Sequence, residues 1–138
     1  MSESGLGGEF ALIGMAESDV GIVPNKSPRE LCVQVTLDAI KDAGLTLADV
    51  DGLITCNAFA EPIMYHAEAV AEYIGWQPRH CVTVNTGGGT TFMALNMAAA
   101  AIQAGMADTI VVAMADSCLL YTSPSPRDAT LSRMPSSA

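Results

Sequence analysis

Basic side chains are scarce in this sequence of 138 residues. Six lysines and arginines stand against fifteen aspartates and glutamates, which gives a formal net charge of −9. A chain this acidic has no electrostatic attraction for nucleic-acid phosphates or for anionic lipid surfaces. We therefore expect neither nucleic acid nor a membrane among its partners. No charged-then-apolar leader opens the sequence, so nothing in it indicates secretion.

Cysteine is also sparse, and its spacing is irregular. No CxxC pair occurs among the four, which are Cys32, Cys56, Cys81 and Cys118. Wide spacing in a sequence without a leader favours reduced thiols over a disulfide framework or a zinc site. We expect a cytoplasmic protein with no bound metal.

The last 21 residues, CLLYTSPSPRDATLSRMPSSA, differ in character from everything before them. Serine, proline and arginine follow one another here without any apolar period. The string resembles, in order and in one reading frame, a translated DNA-sequencing adapter. We therefore expect two parts: residues 1–117, a partial domain cut short at Ser117, and residues 118–138, a non-native and disordered tail that fold reasoning should exclude.

Apolar runs alternate with helix patterns through residues 1–117. The runs that predict strands are residues 10–15, 50–55, 81–85 and 109–115. Buried strands that lack polar alternation and are separated by helices indicate a mostly parallel sheet covered on both faces. The expected fold class is α/β.

Three helices are predicted between these strands. The first begins at Ser27-Pro28-Arg29-Glu30, where Ser27 is the N-cap and Glu30 completes a capping box. The second covers residues 65–74, and the third runs from residues 87–89 to about residue 104. A glycine follows each helix, at the position where a left-handed backbone is inexpensive only for this residue. These glycines are Gly44, Gly75 and Gly105.

The third helix contains FMALNMAAAAI at residues 92–102 and is apolar on nearly every side. Such a helix is buried in a large protein or spans a membrane, and a span needs about 20 apolar residues. The run is shorter than that, so we predict a buried central helix. Because 117 residues supply too few elements to surround it, we expect the domain to be truncated.

A glycine turn opens this helix, in the stretch VNTGGGTTFMAL at residues 84–95. It matches neither GxxxxGK[ST] nor GxGxxG, so it is not a nucleotide phosphate loop. A helix N-terminus nevertheless presents backbone amides to an anion or an oxyanion. The candidate substrate-binding residues are Gly87, Gly88, Gly89 and Thr90. The alternative is a turn that needs backbone freedom and holds no ligand.

The other reactive side chains carry weaker signals. His66 and His80 have no second ligand at metal spacing, and we predict that both are surface or capping residues. Cys32 and Cys56 are predicted to be small core residues. Asp116 is predicted to be a solvated or capping carboxylate.

Residues 85–117, NTGGGTTFMALNMAAAAIQAGMADTIVVAMADS, resemble the thiolase superfamily. In that family a strand turns into a buried helix, a glycine ends the helix, and an apolar strand ends near a small-acidic-serine group. DAGLTLADVDGLIT at residues 42–55 is equally typical. The resemblance covers nearly all of residues 8–117, as the first part of a thiolase-like N-terminal domain. It is nearest to the sterol-carrier and lipid-transfer-like thiolases of bacteria, often labelled acetyl-CoA acetyltransferases.

The resemblance implies an enzyme of lipid metabolism that acts on acyl-CoA thioesters by acyl transfer or thiolysis. Its coenzyme A thioester is a substrate, and no other cofactor is implied. The family's nucleophilic cysteine would fall at Gly88, and glycine cannot carry an acyl group. Gly88 favours cysteine-independent aldol cleavage of a β-hydroxyacyl-CoA, beside a possible OB-fold partner protein. A non-catalytic acyl-CoA-binding or lipid-binding protein is the further alternative.

The resemblance also implies a homodimer of the full-length protein, in which the strand at residues 81–85 pairs with its own copy. This strand, CVTVN, has no charge or proline to protect an edge, and the predicted seam is built around Val82 and Val84. The family's acid/base residues lie in a part that residues 1–117 do not include. The catalytic residues are therefore unknown, and we predict that the chain alone is inactive.

Overall fold

The computed structural model describes residues 9–21 and 23–117. The predicted adapter-like tail, residues 118–138, lies outside the described residues. Two single-turn 3₁₀ helices, Leu47–Asp49 and Gly87–Gly89, accompany the main elements. Those elements, in chain order, are α1 (Pro28–Asp42), β1 (Gly52–Thr55), α2 (His66–Ile74), β2 (His80–Thr83), α3 (Thr90–Gln103) and β3 (Ile110–Ala113).

The three strands form one parallel sheet in the order β2-β1-β3. The central strand β1 is completely buried, and its alternate side chains point to opposite faces. Leu53 packs with α1 and α2 on one face, whereas Ile54 packs with Val84 and α3 on the other. The structure confirms the predicted α/β class and the parallel sheet covered on both faces.

The local signals that delimit the helices are confirmed. At the start of α1, the Glu30 amide donates to Ser27 Oγ at 3.2 Å and the Ser27 amide donates to Glu30 Oε2 at 2.8 Å, which completes the capping box. Gly44, Gly75 and Gly105 follow the three helices with φ values of 72°, 77° and 72°. An L-residue with a side chain rarely adopts this conformation, so these glycines end the helices.

Asp51 joins the amino ends of all three strands. Its carboxylate accepts hydrogen bonds from the amides of Asp108 and Thr109 at 2.9 Å, just before β3. Arg79, just before β2, donates to the same carboxylate from Nε at 3.0 Å. Burial raises the pKa of Asp51, but the bonds from these amides and from Arg79 outweigh that effect and lower it overall. Asp51 thereby links the segments that precede the three strands.

Residues 10–15 form no strand, contrary to the apolar pattern. The segment lies against the C-terminal half of α1, where a Cβ added to Gly14 would come within 2.4 Å of the Ala39 carbonyl oxygen. The Met15 amide also donates to Asp42 Oδ2 at 2.9 Å. Because these residues contact a helix, their backbone does not form hydrogen bonds with a strand of the sheet. The strand prediction is therefore wrong here.

The helix α3 is covered on one face only. Ala94, Ala98 and Ala101 are buried, whereas the side chains of Phe92 and Met93 are 74% and 45% exposed. This differs from the predicted burial on all sides, because the sheet covers one side of the helix and the described residues place no element on the other. Within residues 9–21 and 23–117, no helix is both long enough and apolar enough to cross a membrane.

Candidate functional site

The carboxyl ends of the three strands meet at one edge of the sheet. Ligands of open α/β sheets bind at this edge, where the loops that follow the strands converge. β1 ends there at Thr55, β2 at Thr83 and β3 at Ala113. The glycine turn follows β2 on the same edge, so the topology places the predicted substrate-binding residues where this fold class carries its sites.

The glycine turn is a short 3₁₀ helix, Gly87–Gly89, that leads directly into α3. Gly87 has a φ of 70°, which glycine adopts without the steric cost that a Cβ would bring. A Cβ added at Gly88 or Gly89 would meet nothing within 4 Å among the described residues. The turn therefore presents bare, accessible backbone at the start of a 14-residue helix.

Thr90 stabilises the glycine turn through hydrogen bonds of its buried side chain. Its hydroxyl donates to the Gly87 carbonyl oxygen at 2.6 Å and accepts from the Thr86 amide at 3.0 Å. The residue is buried, at 6% exposure. Of the four predicted binding residues, the three glycines are thus exposed, and the Thr90 side chain is committed to holding them in place. Ligand binding by this group stays a prediction.

His66 is fully buried, so the prediction of a surface or capping residue is wrong. It lies four positions before Val70 on α2, which puts both side chains on the helix face that packs against the sheet. Its Nδ1 lies 3.1 Å from Thr55 Oγ1. Its Nε2 has no hydrogen-bond partner among the described residues. Burial lowers the pKa of His66 below its ordinary value of 6.5.

Two further hydrogen bonds lie at the ends of the strands, one to the start of α2 and one between β1 and the segment after β2. The Ala67 amide donates to Thr83 Oγ1 at 2.9 Å, and the Val84 amide donates to the Thr55 carbonyl oxygen at 2.8 Å. Sequence reasoning missed both threonines. The available signal was a hydroxyl residue at the end of each of two apolar strands, since polar side chains there reach the edge where loops converge.

Asp116 fastens the loop that follows β1 to the end of β3. Its carboxylate accepts from the amides of Phe59 at 2.8 Å, Ala60 at 3.2 Å and Ser117 at 2.8 Å. This confirms the prediction of a capping carboxylate.

The described cysteines are poor nucleophiles. Burial raises the pKa of Cys32 to about 12 and that of Cys81 to about 11. Burial, helped by the charge of Asp116, also raises the pKa of Cys56. Because the reactive form of cysteine is the thiolate, thiols of this kind are inert at neutral pH. Cys32 is a core residue, as predicted, and no group of three metal-ligating side chains occurs in residues 9–21 and 23–117.

Three curated proteins match the sequence. It is 32% identical over 108 residues to a 17-hydroxy-3-oxo-4-pregnene-20-carboxyl-CoA lyase of Mycobacterium tuberculosis, covering 77% of this chain and 27% of the lyase. It is 32% identical over 106 residues to a steroid side-chain-cleaving aldolase of Thermomonospora curvata, covering 77% and 26%. It is 25% identical over 127 residues to an acetyl-CoA acetyltransferase of Methanothermobacter thermautotrophicus, covering 90% and 33%. No protein-family model matches.

Solved structures of other proteins share the fold. The Ltp2-ChsH2(DUF35) aldolase superimposes with a TM-score of 0.57 at 31% identity, covering 72% of this chain and 25% of that one. The 3-oxoacyl-[acyl-carrier-protein] synthase III of Aquifex aeolicus superimposes with a TM-score of 0.58 at 19% identity, covering 70% and 32%. At that identity the synthase supports the fold alone. The chain spans between a quarter and a third of the length of the curated relatives.

Proposed function

Over about 108 residues the chain is a relative of the thiolase superfamily, and from that premise we propose that it is part of an acyl-CoA enzyme that cleaves a carbon–carbon bond without a cysteine nucleophile. The proposed substrate class is a β-hydroxyacyl-CoA, and its acyl group would be bulky and apolar because the names of two relatives describe steroid substrates. One observation carries the proposal: the turn contains no cysteine, and the family resemblance implies that the nucleophile of a thiolase would fall at Gly88.

The cysteines elsewhere in the fold support this proposal. Cys81 lies in β2, before the turn, and Cys32 is inside the core. Both have raised pKa values because they are buried, the opposite of the depressed value that a helix N-terminus gives a catalytic thiol. Two of the relatives, the lyase and the steroid aldolase, have names that describe bond cleavage.

The proposed reaction is a retro-aldol cleavage. A base removes the proton from the β-hydroxyl group, the bond between Cα and Cβ breaks, and its electron pair passes into the thioester as an enolate. A carbonyl compound leaves, and protonation of the enolate at Cα yields the shorter acyl-CoA. The backbone amides of Gly88, Gly89 and the first turn of α3 would stabilise the negative thioester oxygen, because the positive end of a helix dipole favours an oxyanion.

Acyl transfer or thiolysis, the activity that the family resemblance first implies, is the second candidate. The acetyl-CoA acetyltransferase relative favours it. That chemistry needs a covalent acyl-enzyme, and the described residues offer no activated thiol for it. The two candidates therefore differ in one measurable intermediate.

We expect no acyl-enzyme to form on any cysteine of the full-length protein. The measurement is intact-protein mass spectrometry after incubation with acetyl-CoA and with a β-hydroxyacyl-CoA, alongside chromatography of the CoA products. Cleavage should persist after N-ethylmaleimide treatment, because no thiolate takes part. An acyl adduct on a cysteine would establish acyl transfer instead, and binding without any new CoA product would leave a non-catalytic binder.

The proposed assembly has two parts. A small OB-fold partner would join the full-length protein, since the Ltp2 aldolase is in a complex with ChsH2(DUF35). The protein would also form a homodimer through β2, whose outer edge has no neighbouring strand among the described residues. The valines at the expected seam pack toward α3, with Val84 buried and Val82 beside it. Val82→Lys would therefore place a charge against the core and would not report on pairing alone.

Cys81→Pro is a cleaner probe of the β2 edge. Backbone amides alternate in direction along a strand, and those of His80 and Val84 point towards β1. The amide of Cys81 therefore points away from β1, to the side of β2 that has no neighbouring strand among the described residues. Proline at position 81 removes this donor and leaves the hydrogen bonds between β1 and β2 intact. We expect Cys81→Pro to weaken dimerisation of the full-length protein by at least about tenfold. Sedimentation equilibrium measures this, with Cys81→Ala as the control for lost side-chain packing. A monomeric wild type at micromolar concentration would contradict the assembly.

We also propose a division of the chain at residue 117. Residues 1–117 would be part of a thiolase-like N-terminal domain of a cytoplasmic protein, and residues 118–138 would derive from an adapter. Sequencing the genomic copy beyond residue 117 tests the division, since a gene that encodes the tail in place would contradict it.

A further inference from the structure

The buried ring of His66 is the central member of a polar cluster that the proposed chemistry does not use. The ring lies at the start of α2 beside the end of β1, and Thr55, its hydrogen-bond partner, is buried as completely as the histidine. Arg29 Nε is a further buried polar atom without a partner among the described residues. Arg29, Glu61 and Asp116 all lie close enough for their charges to act on the ring.

The buried position of the His66 ring beside Thr55 suits a neutral imidazole and not an imidazolium. Neutral histidine needs one donor and one acceptor, whereas the protonated ring carries two donors and a full charge. Thr55 offers one hydroxyl, which satisfies one nitrogen in either tautomer. The second nitrogen, Nε2, faces no acceptor in the part of the chain that the structure describes. A buried charge without a partner costs far more than a buried neutral group.

The neighbouring carboxylates are engaged elsewhere. Glu61 accepts from the Arg29 amide at 3.4 Å and forms an ion pair with the guanidinium of the same residue. Asp116 holds the amides of the loop after β1. Arg29 places a positive charge near the ring. Burial is the largest influence on the pKa of His66 and lowers it; Glu61 and Asp116 raise it, and Arg29 lowers it further.

We propose that His66 is an acid-sensitive latch that, when neutral, holds the start of α2 and the loop at residues 56–65 against the carboxyl edge of the sheet. Protonation drives the ring out of its seat beside Thr55. The helix start moves with it, and this breaks the hydrogen bond from the Ala67 amide, next to His66, to Thr83 at the end of β2. The proposal does not depend on which reaction the site catalyses.

The direction of the pH effect follows from proton linkage. The ring binds its proton less readily in the folded state than at the ordinary pKa of 6.5. The unfolded or open state therefore takes up a proton first as the pH falls, which favours opening. The latch is fully closed above pH 6.5, and it weakens as the pH falls from 6.5 through the lower folded-state value. The titratable groups on the surrounding elements are Arg29, Glu30, Cys32, Asp38, Lys41 and Asp42 on α1, Cys56, Glu61 and Tyr65 after β1, Glu68, Glu72 and Tyr73 on α2, His80 and Cys81 on β2 and Asp116 after β3.

Hydrogen exchange of the 138-residue chain between pH 7.5 and pH 5.0 tests the latch. After correction for intrinsic rates, amide protection in the first turns of α2 should fall by up to about tenfold per pH unit, the response to one proton, while protection in α3 stays constant. Trp76, the single tryptophan, follows α2 and packs against the same core. Its emission should shift to longer wavelength over the same pH range.

Two variants separate the latch from general acid sensitivity. His66→Asn keeps an amide nitrogen near the Nδ1 position and removes the titration, so the local change should disappear. His80→Asn is the matched control on β2 and should retain it. An unchanged α2 in the wild type, a transition that survives in His66→Asn, or simultaneous loss of protection in α2 and α3 would each overturn the proposal. If His66→Asn does not fold, the wild-type exchange pattern decides.

Discussion

Replacing Gly88 with leucine is expected to lower carbon–carbon cleavage by the proposed full-length enzyme by about 100- to 1000-fold, because the side chain displaces the thioester from the backbone amides of the turn. Thermal unfolding should hardly change, because a Cβ at Gly88 meets nothing within 4 Å. The leucine side chain would occupy the space over the bare backbone of the turn. The substitution would thus lower the cleavage activity without lowering the thermal stability.

Gly88→Ala is the matched control, since a single methyl group fills much less of that space. We expect its activity to fall between those of the wild type and the leucine variant. Turnover and Tm are measured on the same preparations. Full activity in Gly88→Leu would show that the reaction takes place away from the turn, and a large loss of stability would show that Gly88 has a structural role.

Gly52→Val is expected to destabilise the fold by roughly 3 kcal/mol, at the upper end of what overpacking a core costs. Gly52 opens β1 directly opposite Ile110 of β3. A Cβ added there would lie 2.6 Å from Ile110 Cγ1 and 3.2 Å from Ile110 Cβ. Ile110 packs against the cluster beneath α3, so it cannot move aside freely, and the clash would separate the two strands.

Urea unfolding of the 138-residue chain, followed by Trp76 fluorescence, measures this loss. Gly88→Val carries the same side chain to an open position and should change the free energy of unfolding by less than about 0.5 kcal/mol, as surface substitutions usually do. Equal stabilities of the two valine variants would contradict the close approach of β1 and β3. An unfolded Gly52→Val at zero urea beside a folded Gly88→Val would agree with it.

The glycine turn itself was predictable, since a β-branched run, three glycines and an apolar helix lie together in the sequence. The helix starts and stops were equally local: the Ser27 capping box needs residues three apart, and Gly75 ends α2 through its own backbone conformation. Uninterrupted apolar strands between helices also determined the parallel α/β class, because both faces of such strands must be covered.

The contacts of these elements were decided only by the tertiary structure. Residues 10–15 have the apolar pattern of a strand, yet Gly14 packs on α1 and the pairing is lost. His66 has the pattern of an exposed helix start, yet it is fully buried, with Thr55 eleven residues away in the sequence as its hydrogen-bond partner. The raised pKa of Cys81 likewise depends on burial between elements. Local patterns report the backbone conformation of a few neighbouring residues, whereas burial, pKa and hydrogen-bond partners depend on segments that only the packed chain brings together.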